Sequence, residues 1–186
     1  MARIPSITSL DQLAPEHGGL FERLVARRGS VVGPFRVLLH SPEMAIRFAD
    51  IGAYLRFEGA VARDIAELAI LTAARELDCR YVWGDHEPLG RQANVRPETI
   101  AAIAATPPGG ATAGLTPQES EVVTYVQDLL RTQRVSDERL KAVQDRIGVA
   151  QTVELTAMVG YYRGLAAVLN AYQMDADPGK AVLPAS

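Results

Sequence analysis

The stretch ELAILTAARELDCRYVWGDH, residues 67–86, decides the fold of this chain and holds its candidate chemistry. It sets Glu67 twelve positions before Cys79, the only cysteine, and Cys79 seven positions before His86. Cys79 and His86 therefore fall on one face of a helix, whereas Glu67 belongs to a preceding, largely apolar helix over 63–77. We predict that a carboxylate, a thiol and an imidazole converge on one pocket between these two helices.

The thiol stands where a cysteine becomes reactive. Asp78 is a suitable N-cap residue, which predicts that Cys79 lies in the first turn of the second helix. Free N–H groups and the helix dipole favour anions there, and His86 adds an imidazole. We expect a thiol pKa below the value of about 8.5 of a free cysteine. A lone cysteine is also compatible with a small buried core residue, so both interpretations stay open.

Four further side chains are candidates for binding a substrate: Arg56, Tyr81, Val82 and Trp83. The planar guanidinium of Arg56 suits a carboxylate, with a surface ion pair as its ordinary alternative. The two aromatic residues fit a hydrophobic core as well as a pocket wall. Tyr161 and Tyr162 diverge by about 100° on a helix, so we expect that they do not both face inward and that one of them donates a hydrogen bond into the pocket.

Metal binding is disfavoured by the same residues. One cysteine, one histidine and one glutamate offer three ligands, and no motif such as HExxH accompanies them. The expected chemistry is therefore independent of metals and other cofactors.

Composition limits the kind of protein and its partners. The chain has 186 residues, of which 48% are hydrophobic and 22% charged, so it is able to build a core. Its formal charge of −3 gives no electrostatic reason to expect nucleic acid or an anionic membrane as a partner. With one cysteine and neither a signal peptide nor a membrane span indicated, we expect a cytoplasmic protein.

The hydrophobic pattern predicts an all-α bundle. No stretch alternates with period two for long enough to indicate a strand, whereas helix starts with a cap and a first-position proline recur, as at Ser41 and Thr116. We predict an N-terminal arm over 1–15, a helical domain over 16–174 and a tail over 175–186 that is loose or packed on a neighbouring subunit. The longest helix, about 150–174, is apolar on several sides and requires partners.

The Glu, Cys, His pattern resembles the active-site helix of the carboxymuconolactone decarboxylase and alkylhydroperoxidase D superfamily. Segments that carry the same resemblance are PEMAIRF (42–48), YLRFEG (54–59), CRYVWGDHEPLGRQANV (79–95) and ELTAMVGYYRGLAAVLNAY (154–172). The peroxidase branch has Cys-x-x-Cys, and Val82 stands here in place of its second cysteine, so the chain resembles a single-cysteine branch. The resemblance implies an alkylhydroperoxidase-D-like bundle that assembles as a homo-oligomer, commonly a trimer or hexamer.

Three functions are compatible with these residues. The first is cofactor-independent acid–base chemistry, decarboxylation or proton transfer, on a small organic acid, lactone or carbonyl compound by Glu67, His86 and Cys79. The second is a thiol oxidoreductase in which Cys79 attacks a peroxide and an external thiol resolves the sulfenic acid. The third is a helical binding subunit without catalysis.

Overall fold

A computed structural model describes residues 2–31 and 33–185, apart from the side chains of Arg27 and Arg28. These residues form nine α-helices and no strand, which confirms the all-α prediction. The helices are α1 (Gly18–Arg28), α2 (Phe35–Leu38), α3 (Pro42–Ala53), α4 (Arg63–Glu76), α5 (Arg80–Gln92), α6 (Pro97–Ala105), α7 (Pro117–Thr132), α8 (Asp137–Ile147) and α9 (Val149–Ala171). Two 3-10 turns precede α1, and a π-helical turn, Tyr54–Glu58, extends α3.

Helix α4 lies at the centre of the bundle. Every residue from Ala66 to Arg75 is buried, because α5, α6, α7 and α9 pack around this helix. A polar side chain on α4 is therefore removed from water and needs partners within the protein. Thr72 donates to the Leu68 carbonyl, and Arg75 donates to two carbonyl oxygens from distant segments. Glu67 is one of the acidic side chains that this packing desolvates.

The long helix α9 packs one face on this core and leaves another uncovered. Leu155, Met158 and Leu165 are buried, whereas Val149 and Val153 on its first turns are each 63% exposed. The sequence predicted that this helix is apolar on several sides. The other helices of the same chain cover only part of its apolar surface. The exposed valines leave an apolar surface at the start of α9.

Both terminal segments lie on the body of their own chain. The backbone N–H of Arg3 donates to the Tyr172 carbonyl, and that of Ile7 donates to the Arg36 carbonyl. In the tail, Leu183 is only 2% exposed. The tail is therefore not loose at this leucine, which has a site in the core of its own chain, and packing of the tail on a neighbouring subunit stays a prediction.

None of the helices in the described ranges is both long enough and apolar enough to cross a membrane.

Candidate functional site

Three buried side chains from three helices form a continuous chain of hydrogen bonds. Glu67 on α4 places Oε2 2.7 Å from Nδ1 of His86 on α5. Tyr162 on α9 places its hydroxyl 3.1 Å from Nε2 of the same imidazole, and the two rings meet edge to face with centroids 5.2 Å apart. None of the three is more than 5% exposed. The structure thus brings together Glu67 and His86, as their spacing predicted.

A tight turn between α4 and α5 produces this contact. Asp78 adopts a left-handed conformation with φ of 46°, which aspartate tolerates better than most residues, and the chain folds back so that α5 packs along α4. Cys79, and not Asp78, takes the N-cap position of α5. The predicted capping role of Asp78 was wrong because this residue is used for the reversal itself.

The hydrogen-bond pattern fixes the roles of the imidazole nitrogens. An ionised Glu67 only accepts hydrogen bonds, so Nδ1 carries a proton and donates it to this carboxylate. Nε2 is then the basic nitrogen, and it accepts the Tyr162 hydroxyl. Arg63, one turn earlier on α4, places its guanidinium 4.0 Å from the other Glu67 oxygen. His86 is therefore oriented as a base whose acceptor nitrogen faces α9.

A small pocket of about 90 Å³ opens onto His86. Its walls include Arg56, Tyr81, Val82, Asp85, His86 and Tyr162. Three of the four predicted substrate-binding residues thus line it. Burial raises the pKa of the Tyr81 hydroxyl, which keeps this group protonated and able to donate.

Arg56 brings an unsatisfied donor to this pocket. Its Nε is buried and has no hydrogen-bond partner among the described residues, while its guanidinium lies 4.9 Å from the Phe57 ring centroid. A buried donor without an acceptor is costly, so a bound molecule that supplies an acceptor would be favoured at this wall. A carboxylate is the group that a guanidinium binds with the best geometry.

Trp83 lies elsewhere. It is 2% exposed in the hydrophobic core and is absent from the described walls of the pocket, so the structure does not bring it together with the other predicted substrate-binding residues. At 100° per residue, the α5 residues that line the pocket span an arc of about 140°, and Trp83 lies about 60° beyond the edge of that arc. Trp83 therefore lies on the side of α5 that faces the hydrophobic core.

Cys79 is also separated from the pocket. It is completely buried and does not belong to the described pocket walls. Burial raises the pKa of its thiol to about 11, although the backbone N–H groups of Val82 and Tyr81 act in the opposite direction. The predicted low pKa was wrong, because desolvation of the thiolate outweighs the helix terminus and the imidazole is engaged by Glu67 and Tyr162.

The site also includes three residues whose positions the sequence analysis did not predict. These residues are Tyr162, Asp85 and Arg63. The prediction that Tyr161 and Tyr162 cannot both face inward was wrong, because both line the pocket, and the Tyr162 hydroxyl is the one that contacts His86. Arg63 lies four positions before Glu67, a spacing that is visible in the sequence. Nothing in the sequence distinguishes Asp85 from the other exposed carboxylates.

A second depression in the described chain does not contain the predicted site residues. A larger groove of about 560 Å³ lies between the first turns of α4, α7 and α9, and none of the predicted site residues lines it. In the described ranges, no group of three or more histidine, cysteine, aspartate or glutamate side chains is arranged to hold a metal ion.

The fold has a counterpart among solved structures. A crystal structure of an alkylhydroperoxidase AhpD core, an uncharacterized peroxidase-related protein from Ralstonia eutropha JMP134, matches this chain with a TM-score of 0.74. The two are 14% identical, and the match covers 95% of this chain and 93% of that one. No protein-family model and no curated protein matches the sequence. The predicted alkylhydroperoxidase-D-like fold is confirmed, and at this identity the comparison speaks for the fold alone.

Proposed function

We propose that this protein is a cofactor-independent acid–base enzyme that acts on a small organic acid, lactone or related carbonyl compound. The observation that carries the proposal is the buried chain from Glu67 through His86 to Tyr162, which ends at a pocket beside the unpaired Nε of Arg56. This arrangement combines an oriented base, a hydroxyl donor and a site for a carboxylate.

Proton transfer next to a carbonyl uses each of these groups. Arg56 binds the carboxylate of the substrate, and the Tyr162 hydroxyl turns from the imidazole to the substrate carbonyl oxygen. Nε2 of His86 then takes the proton from the neighbouring carbon, and the electron pair of the broken C–H bond moves onto the oxygen as an enolate. Glu67 stabilises the resulting imidazolium without taking its proton. In a decarboxylation the same enolate forms by loss of CO₂, and a protonated His86, reloaded from solvent, delivers a proton to carbon.

The experiment that tests this proposal measures proton transfer directly. The protein is incubated in D₂O with a panel of small keto acids and carboxylated lactones, and NMR follows exchange of the hydrogen next to each carbonyl and release of CO₂. Exchange or decarboxylation of at least one compound is expected. Consumption of hydrogen peroxide or tert-butyl hydroperoxide with an added thiol, without activity on any of the carbonyl compounds, would favour the thiol oxidoreductase instead.

The thiol chemistry gives a separate prediction. With a pKa of about 11, Cys79 is almost entirely protonated near pH 7, and its thiolate fraction rises about tenfold for each pH unit below that pKa. We expect alkylation of the folded protein by iodoacetamide to be slow and to keep rising through pH 9 without a plateau. Cys79→Ala should retain acid–base turnover within a few-fold. A plateau below pH 8.5, or loss of turnover in this variant, would contradict the proposal.

We also propose that the protein is a homo-oligomer. Glu154 accepts hydrogen bonds from the Tyr54 hydroxyl and the Ala60 N–H, so the π-helical turn lies beside the start of α9. Each of these elements exposes large apolar side chains, which are Tyr54, Phe57, Val149 and Val153. This surface, next to Arg56, is suited to a second copy of the chain.

Sedimentation at micromolar concentration tests the assembly. The unmodified protein should sediment as an oligomer, and Val153→Glu should shift it toward the monomer because a carboxylate is costly to bury without a partner. Val182→Glu is the matched control, since Val182 is 83% exposed in the tail. A fully active monomer would refute the assembly.

A further inference from the structure

Glu154 on α9 binds both ends of the π-helical turn. Its Oε1 accepts a 2.8 Å hydrogen bond from the hydroxyl of Tyr54, the first residue of the turn. Its Oε2 accepts a 2.7 Å hydrogen bond from the backbone N–H of Ala60, just beyond the end of the turn. The N–H of Gly59 donates to the Tyr54 carbonyl at 2.7 Å and closes the backbone between these contacts. One carboxylate thus fixes the whole turn to α9.

The carboxylate packs directly against the backbone at Gly59. A Cβ at this position would lie 2.9 Å from Oε2 of Glu154, which is closer than van der Waals contact allows. The backbone of Gly59 has φ of −69° and ψ of 164°, values that any residue adopts. The local conformation therefore does not require glycine, whereas the close approach of the carboxylate leaves no room for a side chain.

Arg56 lies within the turn that Glu154 fixes. Its guanidinium lines the pocket at His86, and its buried Nε has no hydrogen-bond partner among the described residues. Both oxygens of Glu154 are engaged by Tyr54 and Ala60. Glu154 therefore acts on the position of Arg56 through the backbone of the turn.

The same helix carries the hydroxyl donor of the site. Tyr162 follows Glu154 by eight positions on α9, a distance of about 12 Å along a helix axis. Tyr162 and Arg56 both line the pocket. A single helix thus holds Tyr162 directly and holds the turn of Arg56 through the carboxylate of Glu154.

We propose that Glu154 is a positioning residue, which sets the place of the Arg56 guanidinium in the pocket relative to Tyr162 and so determines the affinity for a substrate carboxylate. The proposal rests on the proposed function in one respect, since it takes the ligand of Arg56 to be a carboxylate. It does not depend on which reaction follows binding.

Formate binding tests the proposal without a substrate or turnover. The pocket of about 90 Å³ has the volume of about three water molecules, and formate is the carboxylate with the fewest non-hydrogen atoms. The readout is the Nε–Hε signal of Arg56 in nitrogen–proton NMR spectra, identified by its loss in Arg56→Lys. Formate is added at constant ionic strength. We expect a saturable shift of this signal in the unmodified protein.

Two variants release the turn in different ways. Glu154→Ala removes both acceptors, and Gly59→Ala displaces the carboxylate while keeping it in the chain. Each should raise the Kd for formate by about three- to tenfold, because recognition of a carboxylate by a guanidinium depends on geometry. Glu154→Gln should stay within about twofold of the unmodified protein, since its amide is able to bond to the same two partners.

Glu121→Ala is the matched control. Glu121 is a partly exposed carboxylate on α7 that also accepts two hydrogen bonds, both from Arg146. Its loss should leave the Kd for formate unchanged. Once an active carbonyl compound is known, Glu154→Ala should raise KM for its carboxylate form by about three- to tenfold with kcat nearly unchanged, and it should have little effect on the methyl ester.

Three outcomes would overturn the positioning role. The first is absence of a formate-dependent shift of the Arg56 signal in the unmodified protein. The second is an unchanged Kd in both Glu154→Ala and Gly59→Ala, even if their thermal stability falls. The third is an equal rise of the Kd in Glu121→Ala.

The positioning role and the proposed function fail separately. Absence of acid–base turnover on every tested compound would refute the proposed function but would not alter the affinities for formate. Turnover in a protein whose Arg56 signal does not respond to formate would refute the positioning role alone.

Discussion

Replacing His86 with glutamine is expected to lower kcat by about 10²- to 10⁴-fold, with a much smaller change in KM, because general acid–base catalysis by a positioned side chain contributes that much. Glutamine retains an N–H donor for Glu67, so the buried carboxylate keeps a partner and the variant should fold. Its amide lacks a basic nitrogen and cannot take a proton from carbon. The rate of deuterium exchange into the active compound measures the loss.

Two further variants separate the roles within this hydrogen-bond chain. Glu67→Gln should reduce kcat less than His86→Gln, since it disturbs the orientation and charge of the imidazole but leaves the base in place. His40→Gln is the matched control, because His40 contacts only the N-terminal segment, at the Pro5 carbonyl, in the described structure. A folded His86→Gln protein with an unchanged exchange rate would refute the acid–base proposal.

Arg56→Lys is expected to reduce kcat/KM for a carboxylated substrate by about 10- to 100-fold, mainly through KM. A hydrogen bond to a charged group contributes about 1.5–3 kcal/mol, and lysine cannot reproduce the planar fork of the guanidinium. Arg47→Lys is the matched control, since Arg47 is an exposed side chain on α3 paired with Glu43.

A substrate analogue turns this variant into a test of carboxylate recognition. The methyl ester of the active compound should react poorly with the unmodified protein, and Arg56→Lys should cause little additional loss for it. An equal loss for acid and ester in the variant would show that Arg56 acts on the structure of the pocket and not on the carboxylate.

Helical periodicity made the proximity of Glu67 and His86 predictable. Both residues lie on helices separated by a short turn, and the apolar faces of these helices indicated which side chains meet. The same helical periodicity of the apolar residues predicted the all-α fold. It did not separate Tyr161 from Tyr162, since both line the pocket and only the folded structure shows that the Tyr162 hydroxyl reaches His86.

The environment of Cys79 and the course of the tail were not predictable in this way. The pKa of a thiol depends on how much water reaches it, and that is decided by helices far away in sequence. The tail has the glycine and proline content of a flexible segment, yet Leu183 finds a buried site and Arg36 finds Asp177. A single leucine or a single pair of opposite charges does not indicate its partner in the sequence, so these contacts are known only from the folded chain.

The buried guanidinium of Arg75 has a consequence for when the protein reaches its native state. Its donors reach the carbonyl oxygens of Thr106 and Pro184, which are 31 and 109 residues further along the chain. During synthesis the charge on the central helix therefore lacks one acceptor until residue 184 has left the ribosome. A nascent chain that ends before this point leaves that donor without its native acceptor at the centre of the bundle, which opposes stable packing. The native hydrogen bonds of this central charge are thus complete only after residue 184 has left the ribosome.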